Sequence, residues 1–257
     1  AIVADGKGGR RYVSAITDHE QLALSAEPGW RPEFPLSTHP QYMSVTKYGP
    51  KYIADLFMDR QTLALNTFSD LVDVVRDEVQ KDSGNTTYAD AIATYLGLGI
   101  SRLANRQSSS TFWHTSGEKV EQVFAMHALP MRWDTAEGNP FSTSSGNFLG
   151  QVAYLAKAVA NFPASGQDNN LKQLNAQSVD FSRCVISTDP PYYDNVPYAD
   201  LSDFFYVWLR RSLRKYHSEI FETVLVPKAE ELVADYKRHE GRNNADKYFL
   251  EGMTRVM

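Results

Sequence analysis

A single cysteine, Cys184, in 257 residues excludes an internal disulfide framework and a cysteine-built zinc site, and it suits a reducing compartment. Lying in an apolar run, it reads as a small core residue and not as a nucleophile. No stretch of about 18 apolar residues occurs, and no basic, apolar, small-residue leader opens the chain. Neither a membrane span nor a signal peptide is therefore expected, and a cytoplasmic setting is. A surplus of positive charge is missing too. The formal net charge of −5 lacks the basic character usual in phosphate binders, so any contact with nucleic acid falls to a local patch. His114, His127, His217 and His239 show no metal-ligand spacing. What remains is ordinary for a globular protein: 42% hydrophobic and 22% charged residues, with length for one large domain or two small ones.

The chain opens on Ala1, and "AIVADGKGGRRYVSAITDHEQ" reads as the tail of a preceding β-rich unit, with a glycine-rich turn at 6–9 and a strand at 11–16. A processed N-terminus is the alternative. Residues 28–50, rich in proline and aromatics without a period, predict a long irregular surface connection. We place a boundary there, with an irregular segment over 1–47 and a helical and catalytic part over 48–257. "DRQTLALNTFSDLVDVVRDEVQKDSG" predicts a helix capped by Asp59 and closed at Gly84, burying Phe68, Leu71, Val72, Val75 and Val79. "TTYADAIATYLGLGISRLANR" predicts a buried helix capped by Thr86 or Thr87, whose Gly97 and Gly99 permit close packing. "SGEKVEQVFAMHAL" predicts a shorter helix. "NFLGQVAYLAKAVANF" predicts another, with Phe148, Val152, Leu155 and Val159 on one stripe and Ser142 to Ser145 available as caps or phosphate contacts.

Then the period changes. "RCVIST" is a compact apolar β-type run ending at Asp189, and in "ADLSDFFYVWLRRSLRKYH" Leu201, Phe204, Phe205, Trp208 and Leu209 recur at helical spacing. Strand, loop and helix form the unit of a parallel α/β sheet, whose ligands bind beyond the carboxyl ends of the strands. The loop at that end is Asp189, Pro190, Pro191 and Tyr192. A rigid turn needs the prolines but not the rings. Methyl transfer to an exocyclic amine needs both. A carboxylate and a backbone carbonyl accepting its two N–H bonds aim the nitrogen lone pair at an electrophile. Proline fixes φ and contributes a carbonyl without a competing N–H. A neighbouring ring stacks on an extruded base, a contact worth ~1–3 kcal/mol. Asp189, the Pro190 carbonyl and Tyr192 suit those roles. Tyr193, Asp194, Asn195 and Tyr198 share the loop and are candidates to line a base pocket.

"DPPY" resembles the catalytic motif of S-adenosylmethionine-dependent amino-methyltransferases, whose Asp form is typical of adenine N6. The wider "TDPPYYDNVPYADLSDFFYVWLRR" is similar to the large bacterial and archaeal adenine-specific DNA methylases that carry a zinc-ribbon insertion. "DLFMDRQTLALNTFSDLV", "YADAIATYLGLGISRLA", "WDTAEGNPFSTSSGNF" and "VLVPKAEELVAD" look similar to the same family, so the resemblance runs from about residue 48 onward. It implies a partial Rossmann-like α/β sheet of parallel strands surrounded by many helices. It also implies S-adenosylmethionine as cofactor, with Asp189 touching it, and DNA with a flipped adenine as partner. The family's "Asp-Pro-Phe-x-Gly-Gly-Gly" cofactor loop and its zinc-ribbon cysteines have no match here. The resemblance therefore points to the later part of such a methylase, partnered by the upstream part of the same polypeptide. The alternatives are an N-methyltransferase acting on RNA or protein and a non-catalytic nucleic-acid-binding segment. Arg210, Arg211, Arg214 and Lys215 form one basic cluster, and Lys237, Arg238 and Arg242 another. Glu230, Glu231 and Asp235 among them favour a solvated helix face.

Overall fold

The computed structural model describes residues 2–7, 9–162, 174–179, 185–194 and 196–257. The glycine-rich opening folds as an antiparallel hairpin, β1 (Ile2–Gly6) against β2 (Gly9–Val13), with Ile2 opposite Val13 and Gly6 opposite Gly9. A short helix, α1 (Thr17–Leu24), follows and buries nothing.

The stretch expected as a surface connection is irregular, but it does not stay on the surface. Leu36, Met43 and Val45 are buried in the same core as Ile53, Leu56 and Phe57. Its backbone groups find partners without a ladder: Leu36 N–H donates to the Lys51 carbonyl at 2.8 Å, Ile53 N–H to Phe34 at 2.8 Å and Val45 N–H to Leu129 at 3.2 Å. That satisfaction is what lets an irregular chain be buried.

Helix α2 (Asp59–Ser83) ends where Gly84 takes a left-handed φ of 65°, the conformation glycine adopts most cheaply at a helix end. Asp59 is its first helical residue, preceded by Met58 at the cap position, and its carboxylate pairs with Arg31. The buried face is not the expected apolar stripe. Gln61, Thr62, Leu65, Asn66, Ser69 and Val72 point inward, while Leu71 and Val75 stay exposed. Some of the inward polar groups meet backbone: Asn66 Nδ2 donates to the Trp30 carbonyl at 2.9 Å, Gln61 Oε1 accepts the Met58 N–H at 2.9 Å and Ser69 Oγ donates to the Leu65 carbonyl at 2.8 Å.

Helix α3 (Thr86–Ala104) is capped by Asn85, which accepts the Tyr88 N–H at 3.0 Å, and not by Thr86 or Thr87. Its glycines act as expected. A Cβ on Gly97 would lie 2.7 Å from the Leu213 side chain, and one on Gly99 would lie 3.3 Å from Leu155. Where a helix was expected over 116–129, the chain instead makes a second hairpin, β3 (Phe112–His114) with β4 (Lys119–Glu121), and then an irregular run that buries Val123 and Leu129. The turn places Glu118 at φ 44°, a left-handed residue that a helix cannot carry. The Trp113 ring meets Tyr12 of the first hairpin edge-on at 6.3 Å.

Helix α4 (Phe148–Ala160) is capped by Asn147, whose Oδ1 accepts from Gly150 N–H at 2.6 Å. The nearby serines do not cap it: Ser142 Oγ donates to the Asn139 carbonyl at 2.9 Å. Among the described residues two more α-helices follow, α5 (Tyr198–Leu213) and α6 (Arg242–Val256).

Helices with two small antiparallel sheets therefore make up the described structure. No parallel strand pair occurs among the described residues. Residues 185–188, expected to be a strand, are irregular, unpaired and exposed. A strand is stabilised by cross-strand bonds and a buried face, and no described strand pairs with these residues. Arg183 and Cys184 lie outside the described residues.

Candidate active site

The site is built on α5, the most deeply anchored helix. Trp208 is fully buried, edge-on to Trp30 at 5.5 Å and to Phe57 at 5.2 Å. Phe204 stacks on Phe57 at 5.3 Å and meets Phe124 at 5.1 Å. These rings hold the helix, and its amino end carries the Asp-Pro-Pro-Tyr loop. Val196 and Pro197 are buried at the junction, whereas Asp189, Pro190, Tyr192, Tyr193, Asp194 and Tyr198 are exposed and Pro191 is half-buried. Asn195 lies outside the described residues.

Within the loop, the Tyr192 hydroxyl donates to Asp189 Oδ1 at 2.9 Å. That bond, then the carboxylate's negative charge, raises the phenol above its ordinary pKa, and Tyr198 adds in the same direction. Asp189, Tyr192 and Tyr198 thus form an open, surface-facing group. Tyr193, expected to line a base pocket, is otherwise engaged. It sits at φ 52°, and its carbonyl accepts the Ala234 N–H at 3.0 Å. Its hydroxyl donates to Asp246 and its ring meets Phe249 edge-on at 5.3 Å. A left-handed tyrosine is strained, and these contacts with α6 and the preceding segment hold it there.

Beneath the loop lies an ion cluster. Asp200 and Asp203 are both almost fully buried on α5. Asp200 pairs with Arg238, which also reaches Glu231 at 2.6 Å and Asp235 at 3.6 Å. Glu231 Oε1 accepts the Ala199 N–H at 2.8 Å, satisfying one of the free donors at the start of α5. Asp203 pairs with Lys228 at 2.7 Å and accepts the Val226 N–H at 2.9 Å. Burial pushes the Asp203 carboxyl up, opposed by those two partners. Burial alone would lower Arg238, but Glu231 and Asp200 outweigh it and hold the guanidinium above its usual value. Within the second basic cluster Lys237 and Arg242 are exposed, but Arg238 is not on a solvated helix face. Arg238 lies in a turn, half-buried, as the hub tying residues 231–238 to α5. Sequence patterning shows Glu231 and Asp235 near Arg238 but misses Asp200, which comes from α5, 38 residues earlier. The available signal is Asp200 and Asp203 on an otherwise apolar face, each of which needs a cation.

The glycine-rich turn was the nearest thing to a cofactor cradle. It joins two antiparallel strands, with Gly6 opposite Gly9, and opens no helix, so it lacks the strand–turn–helix arrangement that receives such cofactors. The described residues thus offer groups for an amine but do not fit S-adenosylmethionine as a complete site. Among them, no group of three or more His, Cys, Asp or Glu side chains is placed to hold a metal, and no helix is long and apolar enough to cross a membrane. Comparison of the chain with protein-family models, with curated proteins and with solved structures finds no match.

Proposed function

We propose that this chain carries the amine-handling part of an S-adenosylmethionine-dependent methyltransferase acting on adenine N6 in DNA, in a cytoplasmic setting. The observation that supports it is the surface placement of Asp189 and Tyr192 on a loop tied down on its far side by α5 and its ion cluster. Asp189 accepts one N–H of the target amine, the Pro190 carbonyl accepts the other, and the Tyr192 ring stacks on the extruded base. Tyr198, exposed on the first turn of α5, flanks the base, and Asn195 belongs to the same loop. The methyl donor is held elsewhere, by the upstream part of the polypeptide, and only Asp189 touches it from this chain.

In the same reading, residues 185–188 form the strand that feeds the loop, completed by parallel neighbours in a Rossmann-like sheet. The exposed apolar side chains of Val185 and Ile186 favour such a covering. A second reading, a non-catalytic nucleic-acid-binding segment, is favoured by the hairpin geometry of the glycine turn.

The test is transfer of labelled methyl groups from S-adenosylmethionine to duplex DNA by the polypeptide that includes the upstream cofactor loop. N6-methyladenine should form with wild type and be lost with Asp189→Ala. DNA binding without transfer would favour the second reading.

A further inference from the structure

The carboxyl-terminal half of α5 and the segment around Trp30 border an open groove of about 510 Å³. Trp30 and Phe34 line its apolar side, and Arg210, Arg211, Arg214 and Lys215 supply the charge. Cations at a helix carboxyl end are favoured by its dipole, so the cluster alone argues little. The pairing argues more. Arg211 meets Asp70 at 2.6 Å and lies over the Trp30 ring at 4.8 Å. Lys215 meets Asp73, which also accepts the Tyr216 hydroxyl at 2.6 Å. Among the described residues Arg210 donates only its Nε, to the Phe221 carbonyl at 3.2 Å, and Arg214 is exposed. Neither meets a carboxylate among the described residues. Two guanidinium groups therefore stand uncompensated beside an aromatic wall, on a chain whose net charge is −5.

We infer that this groove binds the phosphodiester backbone of duplex DNA, which rests on the function proposed above and locates its second contact. A guanidinium suits a phosphate because its planar fork donates to two oxygens at once. The distance also suits a duplex. Helix α5 has 16 residues, about 24 Å at 1.5 Å each. Arg210 and Arg214 lie roughly 18 and 24 Å along the helix axis from its loop end at Tyr198, about five to seven base-pair steps of 3.4 Å. One duplex can thus present a base to the loop and a distant phosphate to the groove.

The experiment is fluorescence anisotropy of a labelled duplex of about 20 base pairs, titrated with the chain from about 50 to about 200 mM salt. The Arg210→Ala/Arg214→Ala variant should bind about tenfold more weakly at the lowest salt and show a salt slope shallower by about 1.8, two phosphate contacts' worth. Asp70→Asn/Asp73→Asn, which releases Arg211 and Lys215, should bind more tightly with a steeper slope. Thermal melts establish that both variants are folded. Wild-type binding with both variants unchanged would overturn the groove and leave the methylation reading standing. Displacement of the duplex by inorganic phosphate at equal phosphate concentration would assign a small-anion site instead. Absence of duplex binding by wild type would overturn the groove outright. The titration uses no methyl donor, so transfer can fail while the groove holds.

Discussion

At Asp189, the Tyr192 hydroxyl already occupies an oxygen to which an incoming amine would donate. In the proposed function the amine would share the carboxylate with that hydroxyl or take its place, since a carboxylate has further acceptor sites, and the Tyr192 ring would receive the base. Tyr192→Phe should therefore keep or raise the rate of methyl transfer, because it frees the carboxylate and retains the ring. Tyr192→Ala should weaken the flipped state by ~1–3 kcal/mol. Asp189→Ala should act mainly on kcat, since its interaction is needed most as the methyl moves. Asp194→Ala, which leaves Asp189 in place, should be milder. Steady-state transfer to duplex DNA separates these outcomes, and wild-type turnover by Asp189→Ala would refute the role given to the loop. A second readout needs no turnover. Because the bond to Asp189 raises the phenol, Asp189→Ala should lower the Tyr192 ionisation, seen in the ultraviolet absorbance of the phenolate.

At the scale of elements, α5 is held from below by rings and from its flank by charge. Arg238→Ala would strip a cation from Asp200 and Asp235, both buried. Unpaired buried carboxylates make such losses large, roughly 3–5 kcal/mol, and urea unfolding should show a loss of that order. Arg238→Lys should recover only part, because an ammonium cannot reproduce the fork joining Asp200 to Glu231. His39 lies against the same cluster, where Asp235 and Asp200 raise its pKa and Lys237 and Arg238 lower it. Burial is the larger effect and holds the imidazole below its ordinary value. A base depressed on folding stabilises fully above its unfolded pKa of about 6.5, and that contribution is lost as pH falls through the folded value. Asp203, whose carboxyl is raised, acts with the opposite sign at lower pH. Urea midpoints should therefore drop as pH falls from about 7 to about 5, and His39→Gln should flatten that part of the profile. An unchanged profile would remove His39 as its source.

For the whole molecule, one ring lies at the centre. Trp208 joins the irregular segment at Trp30 and Phe57 to the helices, so Trp208→Ala should cost ~3–5 kcal/mol. Loss should be similar whether followed by helical circular dichroism or by aromatic signals if the parts unfold together. Gly97→Ala should cost less, ~1–3 kcal/mol, by driving a methyl into Leu213. Large apolar side chains remain exposed at Leu149 and Tyr154 of α4 and at Val185 and Ile186. In the proposed function the parallel sheet would cover Val185 and Ile186.

Several features were legible in the sequence because they depend on local terms. Helix α5 follows from Leu201, Phe204 and Trp208 at helical spacing, the end of α2 from Gly84, and the closeness of α3 to its neighbours from Gly97 and Gly99. The exposed Asp-Pro-Pro-Tyr loop follows from prolines that leave the backbone few choices. Other features depended on partners distant in sequence. The inward polar face of α2 needs the Trp30 carbonyl, the hairpin at 112–121 needs its cross-strand pairs, and the burial of Leu36 and Met43 needs a core for them to enter. Residues 185–188 show the same dependence from the other side: apolar and β-rich in sequence, they have no strand beside them among the described residues. Arg238 is the sharpest case. Its charge and the nearby Glu231 and Asp235 are visible in the sequence, but only folding brings Asp200 of α5 to it and buries the group, because pairing energy is set by distance in space and by burial, and neither can be read from neighbours along the chain.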